Sequence, residues 1–315
     1  MNIVFIGSSK FGLKCLSVCL DFKDLSIKGI VTSPQKFSIS YSSTGVKNIL
    51  YRDFSKFAAD HSIEVRSIKS SMNDPKLFND VAKWKPDAFL VVGWYHMIPK
   101  LWRDLAPAYG LHASLLPDYS GGAPLVWAII NGESKTGITM FKMDEGVDSG
   151  PIVGQSEERI FPDDTISTLY ARIEVRGIEL LQDVLPKLAL GKLKLKAQNE
   201  LNRRILPQRS PEDGQIDWRK DALYVDRFIR AQTKPYPGAF TIFDGKPLHI
   251  WKSSVSTENI QSMPGTVTRK KDGFCYVSCG KGAILMHEIS YKRKSYLGNQ
   301  INKIVRSTNK VVFEN

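Results

Sequence analysis

His112 lies in "YGLHASLLPDYSGGAPL" (109–125), a stretch that reads as neither a good helix nor an alternating strand. An imidazole titrates near neutral pH, so a histidine beside a carboxylate is the natural general base. The carboxylate to orient it is available in "MDEGVDSGPIV" (143–153), where Asp148 follows a Gly-Val turn and precedes Ser-Gly-Pro. The plainer alternative is a strand-to-loop exit at His112 and a turn made by Asp and Gly. Of the five histidines, His61 falls in a helix-to-strand loop, His249 in a barrel strand and His287 beside an acidic residue, all ordinary structural places. His96 and His112 fall at strand ends, where chemistry tends to occur.

Several other chemistries lack their motifs. "GSSKFG" after the first strand is not G-x-G-x-x-G, and no G-x-x-x-x-G-K-[ST] or H-E-x-x-H is present. G-x-S-x-G is also missing, and Ser114 has no flanking glycines of a nucleophile elbow. Dehydrogenase, ATPase, metallohydrolase and serine hydrolase readings therefore start without support.

The elements that must position His112 and Asp148 alternate strand and helix. Strands are expected at 2–7, 27–33, 63–68 and 88–94, with helices at 11–21, 54–62 and 74–85. That order predicts a mostly parallel, Rossmann-like sheet, which binds ligands at the carboxyl ends of its strands. Residues 33–50 read as a Ser-rich loop, and 168–191 as a strong helix that closes a first domain over 1–191. A basic linker is expected over 192–210. From 211 to 315 a helix at 222–231 and the short strands "AFTIF", "LHIWKSS", "GTVTR", "FCYVSC", "AILMHEI" and "KVVFE" predict a small OB-like β-barrel.

The 315 residues are 42% hydrophobic and 24% charged, with no apolar run long enough to span a bilayer. The start, "MNIVFIGSSKFG", reads as a first strand and not a signal peptide, so the expected compartment is the cytoplasm. Cys15, Cys19, Cys275 and Cys279 are expected as reduced thiols and not as a zinc site. Charge is lopsided: residues 191–315 carry 23 Lys and Arg against 11 Asp and Glu, while residues 1–190 balance at 21 of each. A solvated basic face or an anionic partner would account for it.

The run from "HASLLPDYSGGAPL" to "MDEGVDSGPIVGQ" (112–155) resembles the signature of formyltransferases that use 10-formyltetrahydrofolate. "MNIVFIGSSKFG" is similar to that family's first strand and loop. "VVGWYHMIP" (91–99) resembles its folate-lining segment, and 216–251 the opening of its C-terminal barrel. The resemblance implies that an amine attacks the formyl carbon, giving a tetrahedral oxyanion that collapses to a formamide. It implies His112 as base, Asp148 as its orienting carboxylate, and no metal. The donor would be bound by Val92, Gly93, Trp94, Tyr95, His96, Ile98, Pro99, Asp144 and Gly146. The acceptor would meet Gly7, Ser8, Phe11, Ser114, Leu115 and Pro117.

Two positions depart from the family pattern. Where an asparagine normally stabilises the oxyanion, two residues before the histidine, this chain has Gly110. Losing one such donor typically costs about 10²–10³ in rate. Formyl-folate hydrolysis and a non-catalytic folate- or RNA-binding role therefore stand beside transfer as expectations. The tRNA enzyme usually has an arginine where this chain has Ser120, and the 33–50 segment offers only Lys36 and Lys47 as cations. These changes favour a nucleotide-linked amino sugar over initiator tRNA as the anionic acceptor, while the basic "YKRKSY" and "INKIVRSTNK" stretches favour tRNA. No membrane partner is expected, and a homodimer is the remaining candidate assembly.

Overall fold

The computed structural model describes residues 1–39, 42–69, 71–260, 262–269, 273–305 and 311–313, and these form two compact units. The first comprises 1–121, 136–158 and 172–206; the second comprises 122–135, 159–171 and 207–315.

The first unit opens with β1 (Asn2–Gly7), α1 (Lys10–Cys19) and β2 (Ser26–Thr32). β1 is a continuous apolar run whose Val4, Phe5 and Ile6 are fully buried, the pattern of a strand covered on both faces. Ser9 caps α1, its Oγ accepting from the Gly12 N–H at 2.9 Å. The stretch expected as a loop at 33–50 instead contains an antiparallel hairpin, β3 (Lys36–Ile39) and β4 (Ser42–Lys47). The pairing is hard to see because the alternation in β3 lasts only four residues and β4, "SSTGVK", has a single large apolar side chain. Residues 40 and 41 lie outside the described residues.

Next come α2 (Ser55–Asp60), β5 (Val65–Ser67), α3 (Pro75–Ala82), β6 (Ala88–Val92), α4 (Lys100–Leu105) and β7 (Ala108–His112). Asp74 caps α3 and Pro75 opens it, where the missing N–H costs nothing. After β8 (Ser120–Gly121) and α5 (Pro124–Asn131), β9 (Lys135–Lys142) and β10 (Ile152–Arg159) complete the sheet, whose order is β10-β9-β7-β6-β1-β2-β5. β5, β2, β1, β6 and β7 are mutually parallel, and β9 is antiparallel to β7.

Register decides where chemistry can sit. Gly7 lies opposite Val92, and Val91 opposite Gly110, so Ser8, Gly93 and His112 all leave the sheet at its carboxyl edge. The helix α6 (Ile166–Ala189) follows β10. The segment expected as a linker is tied down at two places along its length. Lys196 bridges Ile152, and β11 (Ile205–Leu206) pairs in parallel with β8.

The second unit carries α7 (Ala222–Gln232), capped by Asp221, and seven antiparallel strands. These are β12 (Ala239–Phe243), β13 (Lys246–Val255), β14 (Thr266–Arg269), β15 (Cys275–Ser278), β16 (Ala283–Tyr291), β17 (Lys294–Leu297) and β18 (Val311–Val312). They form the curled sheet of a small barrel domain, as the strand pattern predicts. β17 was not among the expected strands; its four residues include only two large apolar side chains, and it forms by pairing with β16 across a two-residue turn at Lys292–Arg293. Residues 306–310, the second half of "INKIVRSTNK", lie outside the described residues. Among the described residues no helix is long and apolar enough to cross a membrane.

Candidate active site

The centre of the site is His112, the last residue of β7, with an oxygen beside each ring nitrogen. Nε2 lies 2.8 Å from the Tyr119 carbonyl oxygen, and Nδ1 lies 3.5 Å from Asp148 Oδ2. Carbonyl and carboxylate oxygens only accept, so a neutral ring, with one N–H, can donate to one of them. The ring that has gained a proton can donate to both. Asp148 Oδ2 also accepts the Gly121 N–H at 2.8 Å. Both His112 and Asp148 are mostly buried, with side-chain exposures of 11% and 19%. Tyr119 and Asp148 have φ of +55° and +50°, a left-handed conformation that costs non-glycine residues about 1–3 kcal/mol and persists only where surroundings impose it.

Those surroundings are visible. The Ser114–Pro117 turn is pinned by Thr139, whose Oγ1 donates to the Ser114 carbonyl at 2.6 Å and accepts from the Leu116 N–H at 3.1 Å. Gln155 donates to the Leu116 carbonyl at 2.8 Å and to Thr139 Oγ1 at 2.9 Å. Ser114 is buried and donates to the Asp118 carbonyl at 2.8 Å, so its hydroxyl shapes the turn. The Leu116–Pro117 peptide is cis. Arg204 holds Asp118 through two bonds of 2.5 and 2.6 Å and stacks over the Tyr119 ring at 4.5 Å. On the other side, Asp144 Oδ1 closes the 144–149 turn by accepting from Gly146 N–H at 3.0 Å and Ser149 Oγ at 2.6 Å. Gly150 is obligatory, because a Cβ there would sit inside the Lys142 carbonyl.

Gly110 is buried in β7, and the space beside it is filled by apolar groups. A Cβ at 110 would lie 2.8 Å from Met143 Cε and 3.3 Å from Phe141 Cε1. The three atoms nearest to that position belong to Met143 and Phe141.

The carboxyl ends of β1 and β6 form a second cluster. Asn48, fully buried, donates to the Ser8 carbonyl at 3.2 Å and to Ser8 Oγ at 3.3 Å. Tyr95 donates to Asn48 Oδ1 at 3.4 Å. Gly7 passes so close to Val92 that a Cβ would lie 2.5 Å from its carbonyl oxygen, and Gly93, at φ +62°, has Ser9 against it. The His96 ring packs between Phe37 (5.1 Å) and Trp94 (5.4 Å), and Phe37 also meets Tyr95 at 5.4 Å. Burial lowers the His96 pKa, so the ring is neutral at pH 7, and its Nε2 is buried without a hydrogen-bond partner. Ile98 is buried in the core, Pro99 is the N-cap residue just before α4, Phe11 is buried in α1, and Leu115 packs against Gly137.

The structure thus brings His112, Asp148 and Gly121 together, and separately Gly7, Ser8, Val92, Gly93, Tyr95 and His96 with Asn48 and Phe37. Sequence reasoning passed over Thr139 and Gln155, although both lie inside the quoted 112–155 run. It also passed over Tyr119, which acts through its backbone carbonyl, and over Asn48, Gln198, Arg203 and Arg204, whose roles come from contacts distant in the chain.

Comparison with known proteins gives the family of the chain. Residues 1–185 match the formyl transferase family model, and residues 209–303 match that of the formyl transferase C-terminal domain. A methionyl-tRNA formyltransferase of Caldanaerobacter subterraneus subsp. tengcongensis is 33% identical over 301 residues, covering 95% of this chain and 94% of its own. The methionyl-tRNA formyltransferase of Alkaliphilus oremlandii is 32% identical, with 95% and 94% covered. Among solved structures, WlaRD, a sugar 3N-formyl transferase, superposes with a TM-score of 0.66 at 18% identity, covering 91% of this chain and 97% of its own. With a family model spanning more than half its length and full-length relatives above 30% identity, the chain belongs to the formyl transferase family.

Proposed function

We propose that the chain transfers a formyl group from 10-formyltetrahydrofolate to a primary amine, with His112 as the proton acceptor. The observation that carries this reading is the His112–Asp148 pair at the carboxyl edge of the parallel sheet, with the Gly121 N–H on the same carboxylate oxygen. His112 receives the proton released as the amine becomes an amide and passes it to the departing nitrogen, work typically worth 10²–10⁴ in rate. Asp148 steadies the ring when it carries that proton. The amine approaches Nε2 where the Tyr119 carbonyl now lies, so productive binding displaces that contact.

The residues around Trp94 fit a flat, polar-edged folate ring. Phe37, Trp94 and Tyr95 supply aromatic surface, and the unpartnered His96 Nε2 is a polar atom awaiting a partner. Val92, Gly93, Ile98, Pro99, Asp144 and Gly146 complete the candidate donor site. The folate supplies the activated formyl carbon.

For the acceptor, the full-length relatives and the positive excess confined to residues 191–315 support methionyl-tRNA. A specific observation favours the second reading, a nucleotide-linked amino sugar. Ser120, at the position of the tRNA enzymes' arginine, is buried and spends its hydroxyl on the Pro117 carbonyl at 3.0 Å. Gly110, with Met143 and Phe141 nearest to it, keeps formyl-folate hydrolysis or simple binding as the rival outcome. The test is to incubate the full chain with 10-formyltetrahydrofolate and either charged initiator tRNA, nucleotide-linked amino sugars or water alone. Formyl found on an acceptor, and lost in His112→Ala, supports transfer. Equal inertness of wild type and His112→Ala on every acceptor refutes it.

A further inference from the structure

We propose that Gln198 is a positioning residue for the transfer reaction, holding the backbone of Asp148 so that its carboxylate faces His112. The inference rests on the roles given above to that pair. Gln198 comes from the basic stretch after α6, which as sequence resembles a plain connector. Its Nε2 donates to two carbonyls of the Asp148 turn, Asp148 at 2.8 Å and Gly150 at 2.7 Å, which uses both N–H bonds of the amide. Arg203, five residues on, donates to the Val147 carbonyl. Three of the four carbonyls from Val147 to Gly150 are therefore fixed by one segment. Asp148 gains from such fixing because its φ of +50° is a sparsely populated conformation for a residue with a side chain.

The same segment also secures the opposite wall of the histidine. Lys196 exchanges backbone bonds with Ile152 at 2.7 and 2.8 Å, which anchors the approach to Gln198. Arg204 then takes Asp118 and Tyr119, its carbonyl accepts the Ser120 N–H at 3.0 Å, and β11 pairs with β8. The backbones that carry the oxygen on Nε2 of His112 and the one near Nδ1 are thus both held by residues 198–206. Gln198 is the member of this segment that bonds Asp148 itself. Its Oε1 is buried without a partner, a cost that packing alone does not require, since a methionine of equal length would avoid it.

The test uses the full chain carrying Gln198→Met, which keeps length and removes both donors. Three readings are taken: kcat against KM, the pH profile of kcat/KM, and the imidazole NMR signals of His112 without substrates, assigned by their loss in His112→Ala. Small misplacement of a reacting group typically costs up to about 10²-fold in rate. The expected result is a 10- to 100-fold loss in kcat, KM values within twofold, displaced His112 signals and an altered pH profile. A folded Gln198→Met with unchanged ring signals and pH profile overturns the proposal, as does a loss confined to KM. If Gln198→Met does not fold, Gln198→Leu, which also removes both donors without adding charge, is read the same way, and failure of both to fold makes Gln198 a structural staple and ends the proposal. Should the wild type transfer no formyl group, displaced ring signals would still sustain the geometric claim while the functional reading falls.

Discussion

Asp148 Oδ2 serves two neighbours at once, accepting the Gly121 N–H at 2.8 Å while standing 3.5 Å from His112 Nδ1. The Gly121 bond fixes where the oxygen sits, and the longer gap to the ring leaves it free to tighten when the ring gains a proton. Asp148→Asn keeps an oxygen for Gly121 but removes the charge. It is expected to lower kcat by about 10²–10⁴, with KM nearly unchanged. Steady-state kinetics on whichever acceptor proves active measures this, and a variant with wild-type kcat would remove Asp148 from the mechanism.

The apolar filling at Gly110 leads to a gain-of-function prediction. Restoring an asparagine puts a donor where charge develops, an effect worth about 10²–10³ in kcat elsewhere. Its Cβ would meet Met143 Cε at 2.8 Å, the free end of a flexible side chain that can swing aside. Gly110→Asn, alone or with Met143→Ala to make room, is expected to raise kcat. No increase in either protein would mean that another group already fills the asparagine's role.

Acid should weaken the fold before any carboxylate titrates. His96, His249 and His287 all have pKa values lowered by burial, with Lys252 adding to the effect at His287. An unfolded histidine titrates near 6.5, so below that pH the unfolded chain binds protons that the native rings resist. Stability is therefore full above about pH 6.5 and falls as pH drops toward 5. Urea midpoints at pH 7.5 and 5 report it, and His96→Leu should shrink the difference. Equal midpoints for the wild type would contradict the prediction.

The thiols give an alkaline counterpart. Burial raises three of the thiol pKa values: Cys15 well above its ordinary range, Cys19 to about 12 and Cys279 to about 12. The native thiols stay protonated and enclosed, so a disulfide reagent at pH 8 should label none of the four buried cysteines until urea is added. The stabilisation from keeping them neutral is complete below about pH 9 and is lost as pH climbs through about 12. Rapid labelling of the native chain would show that the helix holding Cys15 and Cys19 opens readily.

The parts of this molecule legible in its sequence are those set by local pattern. β1 was expected at 2–7 and lies at Asn2–Gly7, because six consecutive residues with a buried apolar run need no distant partner to be recognised. α6 and α7 were placed within two residues by their periodicity. The histidine and aspartate could be paired only through the longer 112–155 run, since 36 residues separate them. The 36–47 hairpin and the Tyr119 carbonyl carry no such signal. A backbone oxygen contributes to a site through conformation, which side-chain identity does not encode. Gln198 and Arg203 act on carbonyls some 50 residues earlier, and a polar residue in a basic stretch gives no hint of that.

The tie between β8 and β11 has a consequence for the order of synthesis. During translation His112 and Asp148 emerge early, yet the wall behind Tyr119 closes only after Leu206 has left the ribosome. A chain stopped at the end of α6 would hold the whole 112–155 run and still lack Gln198, Arg203 and Arg204. Such a truncated product would carry the signature of an enzyme without its finished pocket.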